Sequence, residues 1–267
     1  MTSTETLMSV VIPAYNEEDR LPNTLDKLSL WMNDSKLPTI DLIIVDDGSM
    51  DQTNKIAKRF YHHKINTTIL KTDHVGYMHA IIAGVQATKA EFVGVLEADA
   101  PVEPVVFEDF LALTPNYDIV MGSRLFRGAH SIKGKTYLRS VMSWSMSKIF
   151  LTLFRCEVRD PQIGFKLYKT SCIKKILPQL TSKHDGMKCA EIIVRSYADG
   201  YKIKELPVEY YHDNDSKCVP KGKELNVAIN ALIGLLKLWG TICRESAKKS
   251  TRVPSVRGLA IGSILFK

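Results

Sequence analysis

Apolar positions in the first hundred residues switch repeatedly between two spacings, and the switches predict alternating strands and helices. Residues 8–13 form a short apolar run of strand type, whereas residues 17–32 place Leu21, Leu25, Leu28 and Trp31 at helical intervals. Residues 40–45 are rich in β-branched side chains and predict a second strand. A helix over about 52–60, a strand over 67–70, a helix over 80–88 and a strand over 92–96 continue the order. Short strands separated by helices imply parallel crossovers, so the expected fold is α/β: a doubly wound, mostly parallel sheet with helices on both faces. Ligands in such sheets bind beyond the carboxyl ends of the strands.

The second half is less regular. It predicts a strand over 117–121, a helix over 137–154, a strand over 163–168, a helix over 189–198 and an extended stretch over 201–211. Pro207 near the middle of that stretch suits an edge strand, because proline cannot donate to a neighbour on both sides. There is no internal repeat and no Gly/Ser linker, which predicts one domain over residues 1–222 and a C-terminal segment over 223–267. Within that segment, residues 225–243 are strongly apolar, and Asn226, Asn230, Lys237 and Thr241 fall on one narrow helical face. Two asparagines and a lysine are costly inside a bilayer. The reading is therefore an amphipathic helix lying along a membrane surface, assisted by Arg244, Lys248, Lys249 and Arg252. The competing reading is a core helix of a soluble domain.

Composition adds limits. Of the 267 residues 45% are hydrophobic and 24% charged, enough to bury a core, and the net charge of +7 favours an anionic partner. Nucleic acid is not expected, since no recognition motif or aromatic-studded basic sheet pattern is present. Cys156, Cys172, Cys189, Cys218 and Cys243 are odd in number and lack a CxxC pair, which predicts free thiols in a reducing compartment. Residues 1–7 lack the basic and apolar regions of a secretory signal. The expected location is the cytoplasm, peripherally on the cytosolic face of a membrane.

Candidate chemistry follows the predicted strands. Pro13-Ala14-Tyr15-Asn16-Glu17 could stack on and hydrogen-bond a nucleoside, although Asn16 and Glu17 would also suit a plain helix start. Val45-Asp46-Asp47-Gly48-Ser49-Met50-Asp51 places two acids after a strand. Gly48 permits an unusual backbone angle and Ser49 or Asp51 can cap the next helix, leaving Asp47 as an acceptor for a base N–H. Glu97-Ala98-Asp99 leaves a strand end with two carboxylates that can share a hard divalent cation, Mg²⁺ or Mn²⁺. A solvated acidic turn is the alternative. Arg124, after Gly122-Ser123, and Lys217, after Asp215-Ser216, are candidate phosphate clamps.

In this order the motifs resemble the inverting family 2 glycosyltransferases of GT-A fold. Gly122-Ser123-Arg124, the run Asp160-Pro161-Gln162-Ile163-Gly164-Phe165-Lys166-Leu167-Tyr168 and Ser216-Lys217 look like the polyprenyl-phosphate branch, which includes dolichyl-phosphate mannose synthases and glucosyltransferases. The resemblance implies that Pro13, Tyr15, Glu17, Val45 and Asp47 hold the nucleoside, and that Glu97, Ala98 and Asp99 bind metal and diphosphate. It implies that Arg124, His212 and Lys217 face the donor phosphates, with Asp99, Arg124 and Lys217 carrying the chemistry. The implied partners are a nucleotide sugar (UDP-glucose or GDP-mannose), a polyprenyl or dolichyl phosphate and a membrane surface, with room for a membrane-anchoring subunit.

Three positions depart from the pattern. The first acid is Glu97 where the family usually has Asp, Pro101 replaces a polar residue, and Tyr77-Met78 stands where Lys or Gly is common between Gly76 and Gly84. Glutamate can still ligate a divalent ion, so on the sequence alone Glu97→Asp is expected to retain activity. Transfer to a lipid phosphate needs no strong base, because the acceptor is already an anion. A hydroxyl acceptor would want one, with Asp185 or Glu191 available. The competing functions are a family 2 transferase with a protein, soluble or polysaccharide acceptor, and a non-catalytic family member.

Overall fold

The structure, a computed structural model, describes residues 6–125, 131–132, 137–211 and 224–250. The elements run β1 (Met8–Ala14), α1 (Leu21–Asp34), β2 (Ile40–Asp46), α2 (Thr53–Arg59), β3 (Ile65–Lys71), α3 (Tyr77–Ala87), β4 (Phe92–Val95), α4 (Val106–Leu113) and β5 (Ile119–Ser123). They continue with β6 (Ser131–Ile132), α5 (Tyr137–Phe154), β7 (Lys166–Lys169), α6 (Thr170–Ile176), α7 (Asp185–Ala198), β8 (Ile203–Pro207), β9 (Tyr210–Tyr211) and α8 (Glu224–Ser250).

Seven strands form one sheet in the order β3-β2-β1-β4-β7-β5-β8, and β6 pairs with β9 separately. β1 pairs in parallel with both β2 and β4, as do β2 with β3 and β5 with β8. β7 inserts antiparallel between β4 and β5. Pro207 lies in β8, at the sheet edge, where the missing donor is tolerated.

Alternation along the strands sends neighbouring residues to opposite layers. Val11 and Val45 face α3, whose Gly84 is packed so closely that an added methyl would lie 2.4 Å from Val11 Cγ1 and 3.2 Å from Val45 Cγ2. Met8 faces the other layer, where α4 lays Phe107 against it over Gly94. Phe107 and Phe110 then enclose Phe165, with ring centroids 4.3 and 5.3 Å from it, and so anchor the chain entering β7.

α4 and α6 were not expected from spacing, and α3 begins at Tyr77 rather than at residue 80. The strand expected over 163–168 is confined to Lys166–Lys169. α8 differs from a helix lying only on a surface. Its Leu235, Leu238 and Ile242 are buried, Gly234 abuts Met187 of α7, and Glu245 pairs with the buried Arg195 at 2.8 Å. The opposite face exposes Ile229, Ile233 and Leu236 beside Asn226, Asn230 and Lys237. Among the described residues no helix is long and apolar enough to cross a membrane.

Candidate active site

The carboxyl ends of β1 and β2 carry two loops that are hydrogen-bonded to each other. Asn16 adopts a left-handed backbone, φ 52°. Its amide donates to Ser49 Oγ at 3.0 Å, and its side-chain oxygen accepts from the Met50 amide at 2.9 Å. The Glu17 amide donates to Thr53 Oγ1 at 2.8 Å, and the Glu18 amide to Asp51 at 3.1 Å. Asn16 therefore clasps the second loop instead of capping α1, which starts only at Leu21. Gln52 stands at the N-cap of α2 without a side-chain capping bond, and Asp51, one residue earlier, instead accepts from the Thr53 amide at 2.9 Å. Gly48 has φ 76°, as the turn requires.

Three nucleoside candidates, Asp47, Tyr15 and Glu17, are engaged within the protein itself. Asp47 is not a free acceptor. Its carboxylate receives the Thr72 hydroxyl at 2.6 Å and the Val75 and Gly76 amides at 3.1 and 2.9 Å. Burial pushes this carboxyl up, but those donors and His74 outweigh it and hold it below the ordinary carboxylate range. Tyr15 stacks on His74 with centroids 3.8 Å apart, too close for a base between them. Glu17 pairs with Arg20 at 2.6 Å. Pro13 lies opposite Val45 across the strand pair, and the Val45 side chain is fully buried against α3. Val45 can thus meet a nucleoside only through its backbone, because alternation turns its side chain into the core.

Glu97, Ala98 and Asp99 follow β4. The segment is fixed from α1, since Thr24 Oγ1 donates to the Ala98 carbonyl at 2.7 Å, and Ala100 then turns with φ 39°. Glu97 and Asp99 are both partly exposed. Close packing around Glu97 and the neighbouring Asp99 charge raise its carboxyl to about 7, while Arg124, Lys166 and Tyr210 pull the other way. Two hard oxygen donors that repel each other are a donor set a divalent cation would relieve, so the residues fit Mg²⁺ or Mn²⁺. No cluster of three metal-ligating side chains occurs among the described residues, and the other coordination positions would fall to ligand oxygens and water.

Arg124 leaves β5 on the same side. Its Nε and Nη2 donate to Asp160 at 2.7 and 2.8 Å, and its own amide donates to Asp160 at 3.0 Å. Asp160 is held in turn by Glu205 of β8, which accepts the Asp160 and Arg159 amides at 2.8 and 3.1 Å. The Arg124 guanidinium lies 5.1 Å over the Tyr210 ring, and the Tyr210 hydroxyl is 3.5 Å from Glu97 Oε2. A fork pinned on its Nε–Nη2 edge is a permanently charged, oriented group beside the acids, with Nη1 outside that pair.

His212 and Lys217 lie outside the described residues. Glu191 is no base: it is fully buried and accepts from Thr181, Ser182 and Arg195. Asp185 accepts from the Met78 amide at 3.2 Å and pairs with Lys188 at 3.1 Å, which ties α7 to the start of α3. Asp160, Tyr210, Tyr77 and Lys166 join the site without having been assigned a role from sequence. Asp160 and Lys166 stand in the run ending at Tyr168, whose acid and base were the available signal.

A doubly wound sheet with a paired acid after β4 and two linked loops after β1 and β2 defines a glycosyltransferase of GT-A type. Residues 9–177 match the sequence model described as Glycosyl transferase family 2, and the chain belongs to that family. A dolichyl-phosphate beta-glucosyltransferase of Trichomonas vaginalis is 34% identical over 224 residues, covering 79% of this chain and 67% of that protein. The dolichyl-phosphate beta-glucosyltransferase of Homo sapiens is 28% identical over 262 residues, covering 91% and 79%. The solved glucosyl-3-phosphoglycerate synthase of Mycobacterium tuberculosis, in complex with Mn²⁺, UDP and phosphoglyceric acid, shares the fold with TM-score 0.60 and 15% identity, over 88% of this chain and 79% of that one.

Proposed function

We infer that the chain transfers glucose from UDP-glucose to dolichyl phosphate with inversion at the anomeric carbon. The observation that carries this reading is the meeting of Glu97 and Asp99 with the Asp160-pinned Arg124 at the carboxyl ends of β4 and β5. The names of the two curated relatives favour glucose and dolichyl phosphate, and the UDP of the solved neighbour supports a uridine donor. GDP-mannose is the competing donor.

A phosphate oxygen of the acceptor attacks the anomeric carbon in line, and the bond from that carbon to the diphosphate oxygen breaks as the new one forms. No side chain has to remove a proton, which accords with the structural engagement of Glu191 and Asp185. Glu97 and Asp99 would hold the metal, which when bound acts as a Lewis acid on the departing diphosphate. Arg124 offsets charge on the leaving group from a fixed direction, so little reorganisation is needed. For a base to stack on Tyr15, His74 has to leave that ring, and for Asp47 to receive a base N–H, donors among Thr72, Val75 and Gly76 have to give way. His212 and Lys217 complete the phosphate contacts in this reading.

Radiolabelled UDP-glucose should yield label in organic-extractable lipid with dolichyl phosphate, GDP-mannose should not, and chelation should abolish transfer. Equal transfer from both donors, or full activity after chelation, would reject the respective part.

The exposed Ile229, Ile233 and Leu236 of α8 would rest on the membrane holding the acceptor, on its cytosolic face. Replacing all three by Asp should cut flotation with anionic liposomes by about tenfold or more while the melting temperature changes little, since these side chains leave the packed face of α8 intact. Undiminished flotation would place the contact elsewhere.

A further inference from the structure

The first acid after β4 is a glutamate, and the space around it is shaped for the extra methylene. Antiparallel pairing sets Val95 of β4 opposite Lys166 of β7. Continuing that register by two residues brings Glu97 level with Gly164, on the same side of the sheet. A methyl at Gly164 would lie 2.7 Å from Glu97 Cδ, 2.8 Å from Glu97 Oε1 and 2.8 Å from Tyr77 Oη. Gly164 is not among the left-handed glycines, so what it supplies is room. The Tyr77 hydroxyl is buried and has no hydrogen-bond partner among the described residues, although a buried phenol ordinarily finds one. It flanks the same point as a carboxylate oxygen. The Tyr210 hydroxyl approaches the other carboxylate oxygen, Oε2, and Lys166 of β7 is buried nearby with its Nζ donating to the Ile163 carbonyl.

We propose that Gly164 and Tyr77 form a length-selective seat for Glu97. The absent side chain admits the glutamate carboxylate, and the Tyr77 hydroxyl, which makes no hydrogen bond among the described residues, stands beside the seat as the donor that would meet the carboxylate when a cation draws it into place. Tyr77 and Glu97 are two of the three places where the chain departs from the family pattern, and the seat makes them one matched change. An aspartate ends a methylene short of Tyr77. Glu97→Asp is therefore expected to weaken the site, the reverse of the expectation from sequence. The consequence for metal affinity rests on the reading of Glu97 as a ligand; the packing consequence does not.

The test uses the full chain in two measurements: calorimetric titration with Mn²⁺ alone, and the melting temperature without metal. Glu97→Asp and Tyr77→Phe should each weaken Mn²⁺ binding by roughly tenfold, the usual scale for losing a group that orients a ligand. Tyr77→Phe should add little further loss in the Glu97→Asp background. Gly164→Ala should lower the melting temperature, and about half or more of that loss should be recovered when Glu97→Asp and Tyr77→Phe are both present. The seat is overturned if Tyr77→Phe leaves Mn²⁺ affinity within about twofold of wild type, or if Gly164→Ala costs the same melting temperature in both backgrounds. If the wild-type chain takes up no Mn²⁺, the metal reading fails, and the metal-free melting comparison still decides the seat.

Discussion

Asp99→Ala should reduce sugar transfer by about a thousandfold. The side chain leaves the turn whose carbonyl at Ala98 is pinned to Thr24, so its position is set by the scaffold and not by ligand. Removing one of two carboxylates that would hold the metal forfeits several kcal/mol of stabilisation of the departing diphosphate, and about 4 kcal/mol corresponds to roughly three decades of rate. Glu97 cannot substitute, because its carboxylate is packed against Gly164 and approached by Tyr210. Asp99 is partly exposed, so the variant should fold with a melting temperature close to wild type. Initial rates with saturating donor, compared with Mn²⁺ affinity, measure the effect. Retention of more than about a tenth of the wild-type rate would remove Asp99 from the proposed machinery.

Asp160→Ala should have the largest effect on stability. Asp160 is 3% exposed and receives three hydrogen bonds from Arg124. The Arg124 side chain is 23% exposed and has Glu97 nearby, so removing Asp160 should cost about 3 kcal/mol, the lower end for breaking a buried pair, because the charge left behind is partly compensated. Arg124 would lose its fixed direction as well, so activity should fall even where the variant is folded. The pH dependence has a definite sign. Burial raises the Asp160 carboxyl, but the Arg124 charge and hydrogen bonds outweigh burial and hold it below the ordinary value. A depressed carboxyl contributes stability above its unfolded pKa, about 3.9, and loses it as pH falls through the folded value. Urea unfolding of wild type and Asp160→Asn should therefore differ most near neutral pH and converge in strong acid. A gap that persists unchanged below about pH 2 would show that the pair is not its source.

The strands that end at the site were legible because short continuous apolar runs end at Val45 and Leu96, and acids follow directly at Asp46 and Glu97. Helix α4 was not, since Glu108 and Asp109 interrupt the apolar pattern and, of its side chains, only Phe107 and Phe110 are fully buried. Asp47 looked free because its partners Thr72, Val75 and Gly76 come from another loop, and the bonds are long-range. Val45 was placed at the ligand by position, yet strand alternation turns it inward. Gly164 and Tyr77 stand far apart in the chain, and only the antiparallel insertion of β7 beside β4 brings them to one carboxylate. The tail was legible as a helix, but one face of it is core: the Arg195–Glu245 pair and the burial of Leu235 and Leu238 depend on where α7 lies.

The clasp between Asn16 and the Ser49-Met50 turn bears on engineering. Residues 15–18 and 48–53 are two stretches of sequence but one mechanical piece, joined by hydrogen bonds through Asn16, Glu17 and Glu18. A chimaera meant to exchange the nucleoside preference would have to transplant both stretches together. Grafting either one alone would leave the host's half of the clasp facing a loop that does not fit it.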